Sequence, residues 1–272
     1  MGLRINQNTM AVNAHRNLSI SDGMLGKSME RLSSGFRINR AADDAAGLAK
    51  SETLRADIRG INQAVRNAQD GISFVQTAEG ALDEIHAILQ RINELAVSAA
   101  NTATSDGAAE QAEVTELLAQ IDSIGTSKFA GVDLFSASSI NFQVGTSSAD
   151  TIAINTQALS SASLADGVST ISLSAIDLQS SPSDAIDDVR DAISVINNLR
   201  ASLGATQNRL EHTITNLNVT SENLQASESR IRDLDIAAEM VSFTRHQIMV
   251  QAGTAMLAQA NMVPQSVLQL LR

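Results

Sequence analysis

Seven aliphatic residues in the C-terminal half of the chain recur at steps of seven: Val189, Ile196, Leu203, Leu210, Leu217, Leu224 and Ile231. A seven-residue period keeps one stripe of an α-helix turned toward a partner helix, so a repeat sustained over this span predicts a long helix in a coiled-coil-like pair. At helical rise the segment from 186 to 231 is a rod of roughly 70 Å, longer than a globular core ordinarily uses. The N-terminal half carries a matching stripe of Leu54, Ile61, Ala68, Val75, Leu82, Leu89 and Ala96. Its second row, Ile58, Val65 and Ile72, gives way to Ile85 and Ile92 near Gly71 and Gly80. A shorter amphipathic run, Val114, Leu117, Leu118, Ile121 and Ile124, predicts a third helix with Ser105 or Asp106 as its cap. The expected fold is mainly α: helices over about 43–101, 105–125 and 184–231 in a long antiparallel rod bundle.

Composition supports that reading and narrows the function. Hydrophobic residues reach 43% while aromatics make up only 2%, so the apolar content is aliphatic and Ala-rich, which suits helices packed at close range. The chain has no cysteine, and with it go disulfides, thiol nucleophiles and cysteine zinc sites. It has no Trp or Tyr either, which argues against stacking platforms for single-stranded nucleic acid. The net charge of −11 is unevenly spread: residues 1–42 carry +4, residues 229–272 carry +1, and the middle carries −16. An acidic chain of this kind is not expected to bind nucleic acid, whereas basic ends on an acidic middle are compatible with self-association. The first twenty residues lack the apolar stretch of a signal peptide and no run of 18 apolar residues occurs, so neither a cleaved leader nor a membrane span is expected.

Between the helices the period changes from seven to two. INFQVG (140–145) and DTIAIN (150–155) put Ile140, Phe142 and Val144, and Ile152 and Ile154, on one face each, which predicts a β-hairpin. Residues 146–183 contain fifteen Ser or Thr and no Phe, so surface loops around short strands are expected there, and no second globular domain. The β-hairpin and Ser/Thr-rich loops together occupy 128–183.

The chain ends form a separate system. Leu18, Leu25 and Leu32 recur at seven, with Met29 and Phe36 beyond them. Near the C-terminus one stripe runs through Val241, Ile248 and Met262, and a second runs through Ile236, Met240, Phe243, Val250 and Leu257. Two apolar faces on one helix require more than one neighbour. Ser33, Ser34 and Gly35 are placed to stop the first helix, and Asp43 or Asp44 to cap the second, with Arg37 and Arg40 neutralising the pair. Pro264 is expected to end the last long helix, leaving an apolar tip of Val267, Leu268, Leu270 and Leu271.

These segments carry a family resemblance. LSSGFRINRAADDAAGLA (32–49), then NAQDGISFVQTAEGALDEI and LQRINELAVSAAN in the long N-terminal helix, and QAGTAMLAQANMVPQSVLQLLR at the C-terminus, closely resemble bacterial flagellin. The resemblance implies a secreted subunit of the extracellular flagellum, exported without a cleaved signal peptide. Terminal helices (1–42 and 232–272) would pair as a coiled coil lining an inner tube, and a rod domain (43–231) would surround it. The middle of the chain is too short for the large outer domains of many flagellins. Self-assembly would then rest on Leu18, Leu25, Leu32, Phe36, Val241, Ile248, Leu257, Val267, Leu268 and Leu271. The implied partners are further copies of the chain, a flagellar export chaperone, the filament cap, hook-junction proteins, and the vertebrate Toll-like receptor for flagellin. The matching receptor-binding positions are Gln90, Arg91 and Leu95, with Glu113 on the next helix.

No catalytic constellation accompanies this pattern. His15, His86, His212 and His246 stand far apart in sequence without metal-ligand spacing, and no phosphate-binding glycine loop or nucleophile elbow occurs, so neither enzyme activity nor a cofactor or metal is expected. Two alternatives stay open at this point: a hook-filament junction protein, and a coiled-coil adaptor that binds one partner helix.

Overall fold

The computed structural model of the chain describes residues 7–101, 107–136, 138–161, 163–165, 170–171, 173 and 176–270. Its elements are α1 (Thr9–Ser34), α2 (Ala45–Ala99), α3 (Ala108–Gly125), β1 (Lys128–Phe129), β2 (Val132–Asp133), β3 (Ile140–Gln143), β4 (Thr151–Ile154), β5 (Leu159–Ser160), β6 (Ser163–Ala165), β7 (Thr170–Ile171), α4 (Pro182–Arg232) and α5 (Ile236–Leu270). The expected caps at Ser105 and Asp106 fall outside the described residues, and α3 starts after Gly107. Pro182 opens α4, where a missing N–H costs no helical bond and the fixed φ suits the first turn. The chain divides into two compact units, Met1–Ala56 with Asn223–Arg272, and Asp57–Glu222, and α2 and α4 contribute to both.

The core lies in the central unit, Asp57–Glu222. The α2 stripe from Ile61 through Ala68, Val75, Leu82 and Leu89 to Ala96 is buried, as are Val189, Ile196, Leu203 and Leu210 of α4. Leu54, Leu217, Leu224 and Ile231, the outer members of the two stripes, are half-buried. Val114 and Ile121 of α3 join the same core. The predicted hairpin is β3–β4, antiparallel with Ile140 opposite Ile154 and Phe142 opposite Ile152. Its inner face lies on the helices, with Phe142 5.9 Å from the Phe74 ring of α2. Asn67 of α2 donates to the Gln143 carbonyl at 2.9 Å, which fixes the hairpin along the helix.

The Ser/Thr-rich stretch departs from expectation. It supplies short strands, as foreseen, but Leu159, Leu173, Ile176 and Leu178 are buried in the core and do not lie in surface loops. Polar side chains of α3 hold it there. Asp122 accepts from the Ser161 backbone at 2.6 Å and from its hydroxyl at 2.7 Å. Gln111 donates to the Ile176 carbonyl and accepts from the Leu178 N–H. A segment too polar to make its own core thus covers the end of another one.

In the terminal unit, Pro264 does not end α5, which continues to Leu270. A proline inside a helix leaves the carbonyl four residues earlier without its donor. That carbonyl belongs to Ala260, and the Asn8 side chain donates to it at 2.8 Å. The same Asn8 amide caps α1, its oxygen accepting from the Ala11 N–H at 3.1 Å. One side chain therefore secures the start of α1 and repairs the gap that the proline opens in α5.

Candidate self-assembly surface

Helix α1 lies along α5 through a narrow face. On α1 the covered positions are Ala11, Ala14, Leu18, Ser21, Leu25, Ser28 and Leu32, alternating in steps of three and four. On α5 they include Phe243, Val250, Gly253, Leu257 and Ala260. A Cβ on Gly253 would stand 3.1 Å from Leu18 Cδ1, so a larger residue there would press on the Leu18 side chain. Arg31 and Glu239 form an ion pair at 3.7 Å across the same seam.

The structure therefore divides the candidate assembly residues. Leu18, Leu25, Leu32 and Leu257 are half-buried positions of the α1–α5 seam within one subunit. Val241 and Ile248 point elsewhere, 62% and 59% exposed, and around them Met240, Met249 and Met256 are also open to solvent. On α1 the outward face shows Val12, Ile20 and Met24. The two-neighbour requirement read from α5 is thus half met inside the chain. Val267 and Leu268 lie in α5 with side chains outside the described residues, and Leu271 is outside them altogether.

The turn between α1 and α2 is stitched to the turn between α4 and α5. Gly35 takes a left-handed φ of 73° at the end of α1 and returns its N–H to the Arg31 carbonyl. Phe36 and Asp233 form an antiparallel bridge, with the Arg37 N–H donating to Arg232 O at 2.7 Å and the Leu234 N–H to Gly35 O at 3.0 Å. The Arg232 guanidinium sits 4.9 Å from the Phe36 ring centre and bonds Glu52 at 2.6 Å, which lowers the Glu52 pKa. Phe36 is therefore engaged within the subunit.

Asp44 is the residue that caps α2, accepting from the Gly47 N–H at 2.9 Å. Asp43 has a different partner from the one expected. Lys27 of α1 binds it at 2.7 Å, and this bond, with backbone N–H groups of Arg40 and Asn39, holds its pKa down at about 2. Arg40 instead pairs with Glu30 at 2.9 Å, and Arg37 donates to the Ile231 carbonyl. The correction has a simple cause: the turn folds Asp43 back beside α1, a proximity that sequence distance hides.

In the central unit, Gln90 and Arg91 are exposed on α2. Arg91 bonds Glu113 of α3 through Nε at 2.9 Å and Nη2 at 2.8 Å, and Glu94 through Nη1 at 3.2 Å. Leu95 is not part of that surface; only 6% exposed, it belongs to the core. Its four-residue spacing from Arg91 is real, but the helix turns it just far enough inward to pack beside Ala96. Among the described residues no group of three or more His, Asp and Glu is placed to hold a metal ion, and no helix is long and apolar enough to cross a membrane.

Comparison with known proteins matches residues 5–139 to the family model for the bacterial flagellin N-terminal helical region and residues 186–271 to that for the C-terminal helical region. A flagellin of Halalkalibacterium halodurans is 50% identical, with 98% of this chain and 99% of that protein covered. A flagellin of Bacillus subtilis is 45% identical over 99% of this chain and 100% of its own length. The flagellar filament 33 kDa core protein of Treponema phagedenis is 46% identical over 98% and 99%.

Proposed function

The chain belongs to the bacterial flagellin family, and from that premise we propose that it polymerises through the face of α5 that α1 leaves open. It is a structural subunit of the bacterial flagellar filament, and hence an extracellular component. Neither a hook-filament junction role nor an adaptor role gains support from the same comparisons. The observation that carries the assembly reading is the exposure of Val241 and Ile248 on a helix whose opposite face is already paired. An apolar face of that kind is stabilised by burial against another subunit. In this reading 1–42 and 232–272 form the inner tube, 43–231 the surrounding rod, and Val267, Leu268 and Leu271 extend the contact at the C-terminal tip. Val241→Asp and Ile248→Asp should each abolish sedimentable filaments under conditions where the parent chain forms them, while circular dichroism of the subunit changes little. Normal filament yield from both variants would remove the reading.

A flagellar export chaperone, the filament cap and hook-junction proteins are the proposed partners besides further copies of the chain. The vertebrate Toll-like receptor for flagellin is the proposed outside partner, and the exposed cluster of Gln90, Arg91 and Glu113 supports it. A guanidinium held at a surface by two carboxylates is pre-oriented, which favours a role as a binding anchor. Arg91→Ala should weaken monomer binding to the receptor ectodomain by about 1 kcal/mol or more. Surface plasmon resonance with unchanged affinity would end this proposal and leave the filament role intact.

A further inference from the structure

The eight methionines of the chain all fall within residues 1–29 and 240–262; residues 30–239 contain none. The seven in described segments are Met10, Met24 and Met29 of α1 and Met240, Met249, Met256 and Met262 of α5, and every one is between 45% and 64% exposed. With no cysteine, tryptophan or tyrosine in the chain, these thioethers are the side chains a mild two-electron oxidant attacks first. We propose that the exposed methionines of α1 and α5 form a modification site for peroxides, and that their oxidation state decides whether a free subunit can polymerise. The inference rests on the assembly reading above.

The chemistry is self-contained. The sulfur lone pair attacks one oxygen of hydrogen peroxide, the O–O bond breaks, that oxygen stays on sulfur as the sulfoxide, and the other leaves as water after proton transfer. Sulfur is oxidised by two electrons and the peroxide is reduced by two. A flexible apolar side chain becomes a polar one with a strong acceptor oxygen. Burying it against an apolar partner face leaves that oxygen without a donor, so the modification acts directly on the association step. The central unit, Asp57–Glu222, holds no methionine, and its core is untouched by the same reagent. Polymerisation in turn covers the thioethers, so exposure to peroxide matters before assembly.

The test begins with purified full-length monomer, half of it treated with hydrogen peroxide until mass spectrometry shows sulfoxide at the exposed positions. The critical concentration for polymerisation should rise by about tenfold or more, with the thermal unfolding of the central helices unchanged. Methionine sulfoxide reductases acting on both epimers should restore assembly. A chain carrying Leu at all seven positions, a volume-conserving change, should polymerise equally before and after peroxide. Equal polymerisation of oxidised and untreated parent overturns this inference alone, as does loss of assembly in the peroxide-treated Leu chain. Failure of the untreated parent to polymerise overturns the assembly reading and this inference with it.

Discussion

Leu210 shows how much one position of a repeat decides. Its side chain is fully buried between Ala68 of α2 and Val144 and Ile152 of the hairpin region. Truncation leaves a cavity bounded by two helices and a sheet, so Leu210→Ala should cost about 2–5 kcal/mol in urea unfolding of the subunit. His212, two residues along, is exposed, and His212→Ala should stay within about 0.5 kcal/mol. Small and equal losses at the two positions would mean that the register of α4 on α2 is wrong. The same repeat falls off in burial toward Leu217 and Leu224, so the period alone does not grade its members. Val189, Ile196 and Leu203 share a core with Val114 and Ile121 of α3, and Leu210 one with Val144 and Ile152, so what buries each member is a tertiary fact.

At the scale of elements, the seams of α2 and α4, the third helix and the β3–β4 hairpin were legible because each is a local period with one buried face. The continuation of α5 past Pro264 is not legible, because the helix-breaking rule counts the lost bond and takes no account of the Asn8 donor, 252 positions from the Ala260 carbonyl it serves. Leu159, Leu173, Ile176 and Leu178 are not legible as core residues because they are too sparse to set a period of their own. Asp43 pairs with Lys27 through a turn whose path no spacing rule gives. The α1–α5 pair offers a direct check on the first of these explanations. Asn8→Ala removes a cap, worth about 1 kcal/mol, and also leaves the Ala260 carbonyl without its donor. With Pro264→Ala in place, residue 264 regains an N–H that serves the same carbonyl, so Asn8→Ala should then cost less. A double-mutant cycle read by amide hydrogen exchange in α5 should show coupling of about 0.5 kcal/mol or more. Strict additivity would disconnect the two residues.

At the scale of the whole molecule, burial is distributed very unequally between the two units. Among the described residues, the buried hydrophobic side chains of the terminal unit are Ile38 and Ala260, and all the others belong to Asp57–Glu222. Ordering a residue's backbone costs about 1–2 kcal/mol in conformational entropy, so a helix pair with so little buried apolar surface gains little margin of its own. In the proposed assembly other subunits supply the missing burial, so the faces that assembly would use are also the faces that leave the free subunit weakly held. Limited proteolysis of verified monomer should therefore trim residues 1 to about 42 and those from about 232 onward first. It should leave a helical fragment that retains the central core and no longer polymerises. The same protease applied to filaments should leave both ends intact, because assembly buries them. Equal resistance of the ends in monomer and filament would show that α1 and α5 are stable without neighbours, and the link between incomplete burial and assembly would then be lost.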